Sequence, residues 1–167
     1  MSFMYTISVP VFVRTLGNLS TILDKAAAHA EARKFDPAVL LASRLFPDMF
    51  PLTRQVQIAC DFAKGPVSRL SGREPPKFED TETSIAELQA RITRTVAFVQ
   101  EFKPEQLAGS ETREIQLKIR DQTITVAGLP YLLNMAMPNF YFHATTTYNI
   151  LRHNGVELGK RDFIGPY

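Results

Sequence analysis

The run Pro138-Asn139-Phe140-Tyr141-Phe142-His143-Ala144-Thr145-Thr146-Thr147-Tyr148-Asn149-Ile150-Leu151-Arg152-His153-Asn154-Gly155 decides how this chain must fold. Asn139, His143 and Thr147 recur at i, i+4 and i+8, with Phe140, Ala144 and Leu151 on the same apolar side, so the run reads as a helix that aims a histidine inward. Asn154-Gly155 ends it, and Gly128-Leu129-Pro130 opens it, with a bend expected at Pro138. Directly upstream the period changes to two. Ile115, Leu117 and Ile119 alternate with Gln116 and Lys118, and after Arg120-Asp121-Gln122 the alternation resumes with Ile124 and Val126. This is a short hairpin with one apolar face, and a lone hairpin must lie on the helices.

Three further helices precede the hairpin. From Tyr5 to Ala32, Phe12, Leu16, Leu19, Leu23, Ala26 and Ala30 recur every three or four residues and predict one long helix, with Pro10 tolerated near its first turn. Asp36-Pro37 starts a short connector helix through Arg44. Asp48 is placed to cap a second long helix, whose stripe of Leu52, Val56, Ala59, Ala63, Val67 and Leu70 keeps its period through Gly65-Pro66. A kink and not a break is expected there, with the stop at Gly72. Residues 73–83 read as a surface loop, and Ser84 and Glu87 have capping-box spacing before a third helix limited by Pro104. The tail after Val156 is expected to be irregular and packed by Val156, Leu158 and Phe163.

At 167 residues and 45% hydrophobic, the chain suits one domain, residues 1–167. Four long helices and a hairpin before the last of them predict an all-α four-helix bundle. A net charge of +2, from 19 basic and 17 acidic side chains, gives no reason to expect nucleic-acid binding. The nearest basic cluster, Lys64, Arg69, Arg73 and Lys77, is followed by Glu79, Asp80 and Glu82 and reads as a solvated surface. The longest apolar run, residues 129–142, is broken by prolines and asparagines, so no membrane span is expected from it. A single cysteine, Cys60, and an N-terminus without a basic n-region point to a cytoplasmic protein, with Cys60 a buried structural thiol. Of the three histidines, His29 and His153 sit near helix C-termini, where an imidazolium complements the dipole; His143 is the inward one.

The element order and the phrases Pro47-Asp48-Met49-Phe50-Pro51-Leu52, Gln55-Val56-Gln57, Pro138-Asn139-Phe140-Tyr141-Phe142-His143 and Gly159-Lys160-Arg161-Asp162-Phe163 resemble the DinB/YfiT-like superfamily, in particular a bacterial branch described as a domain of unknown function. The resemblance covers nearly the whole chain and implies a DinB-like bundle. It also implies frequent homodimers and a divalent metal held by three histidines, one on the second helix and an HxxxH pair on the fourth. Some superfamily members are thiol-dependent S-transferases or maleylpyruvate-type isomerases. Carried onto this chain, the pair falls on Asn139 and His143, and the second-helix ligand falls among Asp48, Gln55 and Gln57. Amide oxygens are poor ligands for such ions, so no metal site is assigned; His143 alone would remain in a degenerate one.

Three readings stay open. In the first, the protein is a degenerate relative of the metal-dependent transferases. His143 acts as a neutral general base in a pocket, Asn139 with Asp48, Gln55 or Gln57 orients a small polar ligand, and Tyr141 or Tyr148 forms the wall. Against it stands a purely structural His143, hydrogen-bonded to Asp48 or Gln55. In the second, the same pocket binds a small molecule without chemistry. In the third, the chain is a homodimeric interaction protein, with Phe3, Tyr5, Phe163 and Tyr167 as the exposed aromatics.

Overall fold

Pro10 sets where the first long helix begins. Without an N–H it cannot continue a helix arriving from Tyr5, so the chain makes a short helix α1 (Phe3–Thr6), turns at Ile7 and Ser8, and restarts as α2 (Val9–Arg33) with Pro10 in its first turn. The computed structural model describes residues 2–166, for Ile119 the backbone alone; Tyr167, one of the aromatics expected at an interface, lies outside the described residues. After α2 come α3 (Ala38–Ala42), α4 (Leu52–Leu70), α5 (Ile85–Gln100) and α6 (Pro104–Leu107), then the strands β1 (Glu114–Ile119) and β2 (Gln122–Ala127). The chain ends with α7 (Gly128–Tyr131), a π-helical segment (Leu132–Ala136), α8 (Met137–His153) and α9 (Lys160–Ile164). It is mostly helical, and its sheet is a two-stranded antiparallel hairpin.

Among the described residues four long helices, of 25, 19, 16 and 17 residues, form the frame. They pack in a ring: α2 against α5, α5 against α4, α4 against α8, and α8 back against α2. The periodic residues meet inside it. Phe12, Leu16, Leu19 and Leu23 of α2, Leu52, Val56, Ala59 and Ala63 of α4, Leu88 and Val99 of α5, and Phe140, Ala144 and Leu151 of α8 are all fully buried. Each large apolar side chain among them contributes about 1.5 to 3 kcal/mol by leaving water. Phe12 meets Phe140 edge to face with ring centroids 4.8 Å apart. By length and composition the stretch Phe3–Arg33 could also cross a membrane. Its apolar face is built into the core.

Helix boundaries follow from local chemistry. Ser84 accepts the Glu87 N–H at 3.2 Å while the Glu87 carboxylate accepts the Ser84 N–H at 3.1 Å, completing the capping box at the start of α5. Asp48 does not cap α4. Pro51 takes the N-cap position, the helix starts at Leu52, and Asp48 is left exposed four residues upstream. α4 runs unbroken through Gly65 and Pro66 and stops where Gly72 takes a φ of +79°. Asp36 accepts the Ala38 N–H at 2.9 Å, but the connector helix ends at Ala42, short of Arg44.

The irregularity expected at Pro138 lies just before it. Pro138 cannot donate to the carbonyl four residues back, and the preceding turn widens to π geometry, with the Met137 N–H reaching Leu132 five residues back. The tail is more ordered than its composition suggests. Asp162 accepts the Gly159 N–H at 2.7 Å and pairs with Lys25 at 2.8 Å, which sets α9 against α2. Phe163 is half-buried on Tyr148, and Tyr5 packs against the core, so neither is an exposed aromatic; Phe3 is exposed.

Candidate functional site

The first turn of α4 and the middle of α8 face each other, and there Gln55 meets His143. Gln55 Oε1 lies 2.7 Å from His143 Nδ1, and Gln55 Nε2 donates to the Phe50 carbonyl at 3.0 Å. Because the amide nitrogen is committed to Phe50, the oxygen must accept, and Nδ1 must carry the hydrogen. In the neutral ring the lone pair is therefore on Nε2. Among the described residues Nε2 has no protein partner, and the buried, unpartnered side-chain polar atom is Arg91 Nε, so His143 Nε2 meets solvent. The ring is held by Phe62, nearly parallel at 6.1 Å, and by Phe142, edge-on at 5.2 Å. Burial, and then the nearby Arg54 guanidinium, hold the imidazole below its ordinary pKa, so it is neutral at pH 7. Its chemistry is that of an oriented proton or hydrogen-bond acceptor.

The other residues expected beside it are dispersed. Asp48 is exposed in the loop before α4. Asn139 is exposed and donates to the Met135 carbonyl at 2.7 Å. Gln57 is buried but turned toward Glu82, to which it donates at 2.8 Å. Tyr141 packs on Phe140 at the surface, and Tyr148 packs on Phe163. Only Gln55 joins His143. Among the described residues no three His, Cys, Asp or Glu side chains are grouped to hold a metal ion. Gln55 is bonded through both ends of its amide, so the donors around His143 do not fit the three-imidazole centre the resemblance implies. Cys60 is buried, and burial pushes its thiol up to about 11, which makes it inert.

A cleft of about 600 Å³ has Phe62 in its wall. Its walls come from α4 (Asp61, Phe62, Lys64, Gly65, Arg69), from β1 (Gln116, Leu117, Lys118), from the segment leading into α8 (Tyr131, Met135) and from the first turn of α8 (Asn139), with Pro75 of the 73–83 loop also lining it. His143 does not line it. Arg69 Nη1 contacts the Tyr131 hydroxyl at 3.2 Å, and the Arg69 side chain folds back over Gly65, where an added Cβ would lie 2.8 Å from Nη1. Burial raises the Tyr131 pKa against the opposing pull of Arg69, so the hydroxyl stays protonated. Arg69 makes no ion pair among the described residues.

The supposed solvated surface is in part a buried ion network. The Arg91 side chain is fully buried and pairs with Asp61 at 3.2 Å, Asp80 at 2.9 Å and Glu82 at 3.0 Å, while also donating to the Glu79 carbonyl at 3.0 Å. Lys64, 7% exposed in its side chain, shares Asp61 at 2.8 Å. Burial alone would raise the Glu82 pKa, but hydrogen bonds from Gln57 and Arg91 outweigh it and hold the carboxyl below its ordinary value. Phe78 lies among Arg94 at 3.7 Å, Lys64 at 5.0 Å and Arg91 at 5.9 Å. The signal was an arginine between Leu88 and Thr95 on the apolar face of a helix, downstream of three acids in a loop.

No curated protein matches this chain. A crystal structure of a DinB family member protein from Shewanella denitrificans is 46% identical, covering 98% of this chain and 93% of that one, with a TM-score of 0.94. The model of the family described as a domain of unknown function, DUF1993, matches residues 4–164. Because that match spans almost all of the described helices and the hairpin, the chain belongs to the DUF1993 family, a DinB-like domain of unknown function.

Proposed function

We propose that this protein is a small-molecule-binding member of the DinB-like four-helix bundles, with its ligand held between α4, the hairpin and the entry to α8. The observation that supports this most is the composition of the cleft. Phe62, Leu117, Tyr131 and Met135 supply apolar wall, while Arg69, Gln116, Lys118 and Asn139 add polar groups to the lining of about 600 Å³, the anatomy of a ligand site. The test is a thermal-shift screen of a metabolite library against the wild type and Leu117→Trp, which places an indole in the cleft. Ligands of the native state raise Tm. Compounds that raise the Tm of the wild type and not of Leu117→Trp support the reading. A screen in which no compound separates the two proteins overturns it.

The Nε2 lone pair of His143 favours a second reading, a metal-independent relative of the thiol S-transferases in which His143 takes the thiol proton. Glutathione-type thiols and an electrophilic acceptor, assayed with wild type and His143→Gln, test it: equal background rates exclude it. A homodimer and a cytoplasmic setting belong to the same proposal. Exposed Phe50 and Phe142 flank the Gln55–His143 pair and make an apolar surface for a second copy. A monomeric elution volume at micromolar concentration would exclude the dimer.

A further inference from the structure

We infer that the ligand of the cleft is an organic anion, an apolar body carrying one carboxylate, phosphate or sulfonate group that docks on Arg69. This rests on the reading of the cleft as a small-molecule site and names the chemistry of its occupant.

The charges that line the cleft are Asp61, Lys64, Arg69 and Lys118. Asp61 is already committed, since Lys64 and Arg91 share its Oδ1 at 2.8 and 3.2 Å. Lys64 is committed in turn, its ammonium lying 5.0 Å from the centre of the Phe78 ring as well as on Asp61. Arg69 and Lys118 remain without a carboxylate among the described residues, so the cleft presents uncompensated positive charge.

Arg69 is the better placed of the two. It is half-buried, and a guanidinium offers a rigid fork of donors that matches a carboxylate or phosphate. Tyr131 holds one nitrogen and thereby fixes the fork. Gly65 supplies the space: any side chain there would meet Nη1. A buried glycine in the middle of a helix weakens that helix by about 1 kcal/mol relative to alanine. Here it leaves room for the guanidinium to lie against the cleft wall. Phe62, Leu117 and Met135 then face the apolar body of the ligand, and Lys118 on β1 adds long-range attraction for its charge.

Two fluorescent probes separate the claims. Anilinonaphthalene sulfonate carries an anion on an apolar ring system, and phenylnaphthylamine is nearly the same ring system without the charge. Each is titrated into the wild type, Arg69→Gln, Lys118→Gln and Leu117→Trp, with circular dichroism to verify folding. The expected result is that the sulfonate binds the wild type at least about tenfold more tightly than the neutral probe, as one charge-assisted fork contact predicts. Arg69→Gln removes that preference, Lys118→Gln reduces it a few-fold, and Leu117→Trp abolishes binding of both probes. If Arg69→Gln fails to fold, Lys118→Gln at its exposed strand position carries the test. Equal binding of the two probes, or a preference untouched by Arg69→Gln and Lys118→Gln, overturns the anion assignment while leaving the cleft as a neutral-ligand site. Binding that survives Leu117→Trp, or no binding of either probe at about 1 mM, overturns the small-molecule reading itself.

Discussion

Arg91 and Arg69 are two arginines placed by neighbouring helices, and they are handled in opposite ways. Arg91 is sealed in protein and surrounded by Asp61, Asp80, Glu82 and the Glu79 carbonyl. Arg69 is half-buried beside a cleft and has one neutral partner, the Tyr131 hydroxyl. Withdrawing a guanidinium from water is unfavourable unless carboxylates replace the water, and at Arg91 they do so at both Nη atoms, leaving only Nε without a partner among the described residues. At Arg69 the replacement is incomplete, and the open donors face a cavity. The first arrangement ties the 73–83 loop to α4 and α5; the second leaves an electrostatic demand for something to meet.

The contrast can be broken most forcefully at Arg91. Arg91→Met removes the shared partner of three carboxylates and should destabilise the fold by about 3 to 5 kcal/mol in chemical denaturation, the usual consequence of leaving one half of a buried pair. A loss below about 1 kcal/mol would mean that the network is ornamental. Next in size, His143→Ala leaves Gln55 Oε1 unpartnered and removes the ring stacked on Phe62, for an expected loss of about 1 to 3 kcal/mol in the same assay.

The pH dependence sharpens the comparison. Glu82 has a folded pKa below its ordinary 4.5, so it contributes stability that is present above 4.5 and lost as pH falls through the lower folded value. Acid titration of Tm should show this slope in the wild type and a reduced slope in Arg91→Met. His143 also has a lowered folded pKa, so here too the unfolded state binds the proton more readily. Stability should therefore decline as pH drops from 6.5 toward the folded value, and His143→Gln should flatten that part of the curve. The smallest stability effects belong to the cleft. Arg69→Gln should change stability by less than about 1 kcal/mol, since one hydrogen bond to a hydroxyl is at stake. Gly65→Ala should leave stability unchanged or raised by up to about 1 kcal/mol while weakening binding of the sulfonate probe; unaltered binding would show that the guanidinium does not need that space.

Much of this fold was readable because it is local. Stripes such as Leu52, Val56, Ala59 and Ala63 repeat within one helix, and the Ser84–Glu87 box spans four residues. The pairing of Gln55 with His143 was also within reach, since periodicity aims both side chains at the same core. What escaped was non-local. Arg91 finds Asp61 thirty residues away and Glu82 nine residues away in a loop with no period of its own, so linear charge balance made a buried network look like a surface. The cleft draws its walls from α4, β1 and the segment before α8, and no single stretch of sequence announces a cavity shared by three. Asp48 failed as a cap because Pro51 lies closer to the helix and sets its start.

The π segment at Leu132–Ala136 acts as a phase shifter. A π turn holds an extra residue, and one residue corresponds to about 100° of rotation about a helix axis. Everything upstream of it, including Tyr131 and the hairpin, is thus set at an angle to α8 different from the one a continuous α-helix would impose. Deleting the exposed Leu133 would let the helix close up in α geometry, and Tyr131 would swing off the Arg69 guanidinium while His143 and Gln55 stayed in register. The Arg69–Tyr131 contact and the Gln55–His143 pair are geared to each other by the width of a single turn.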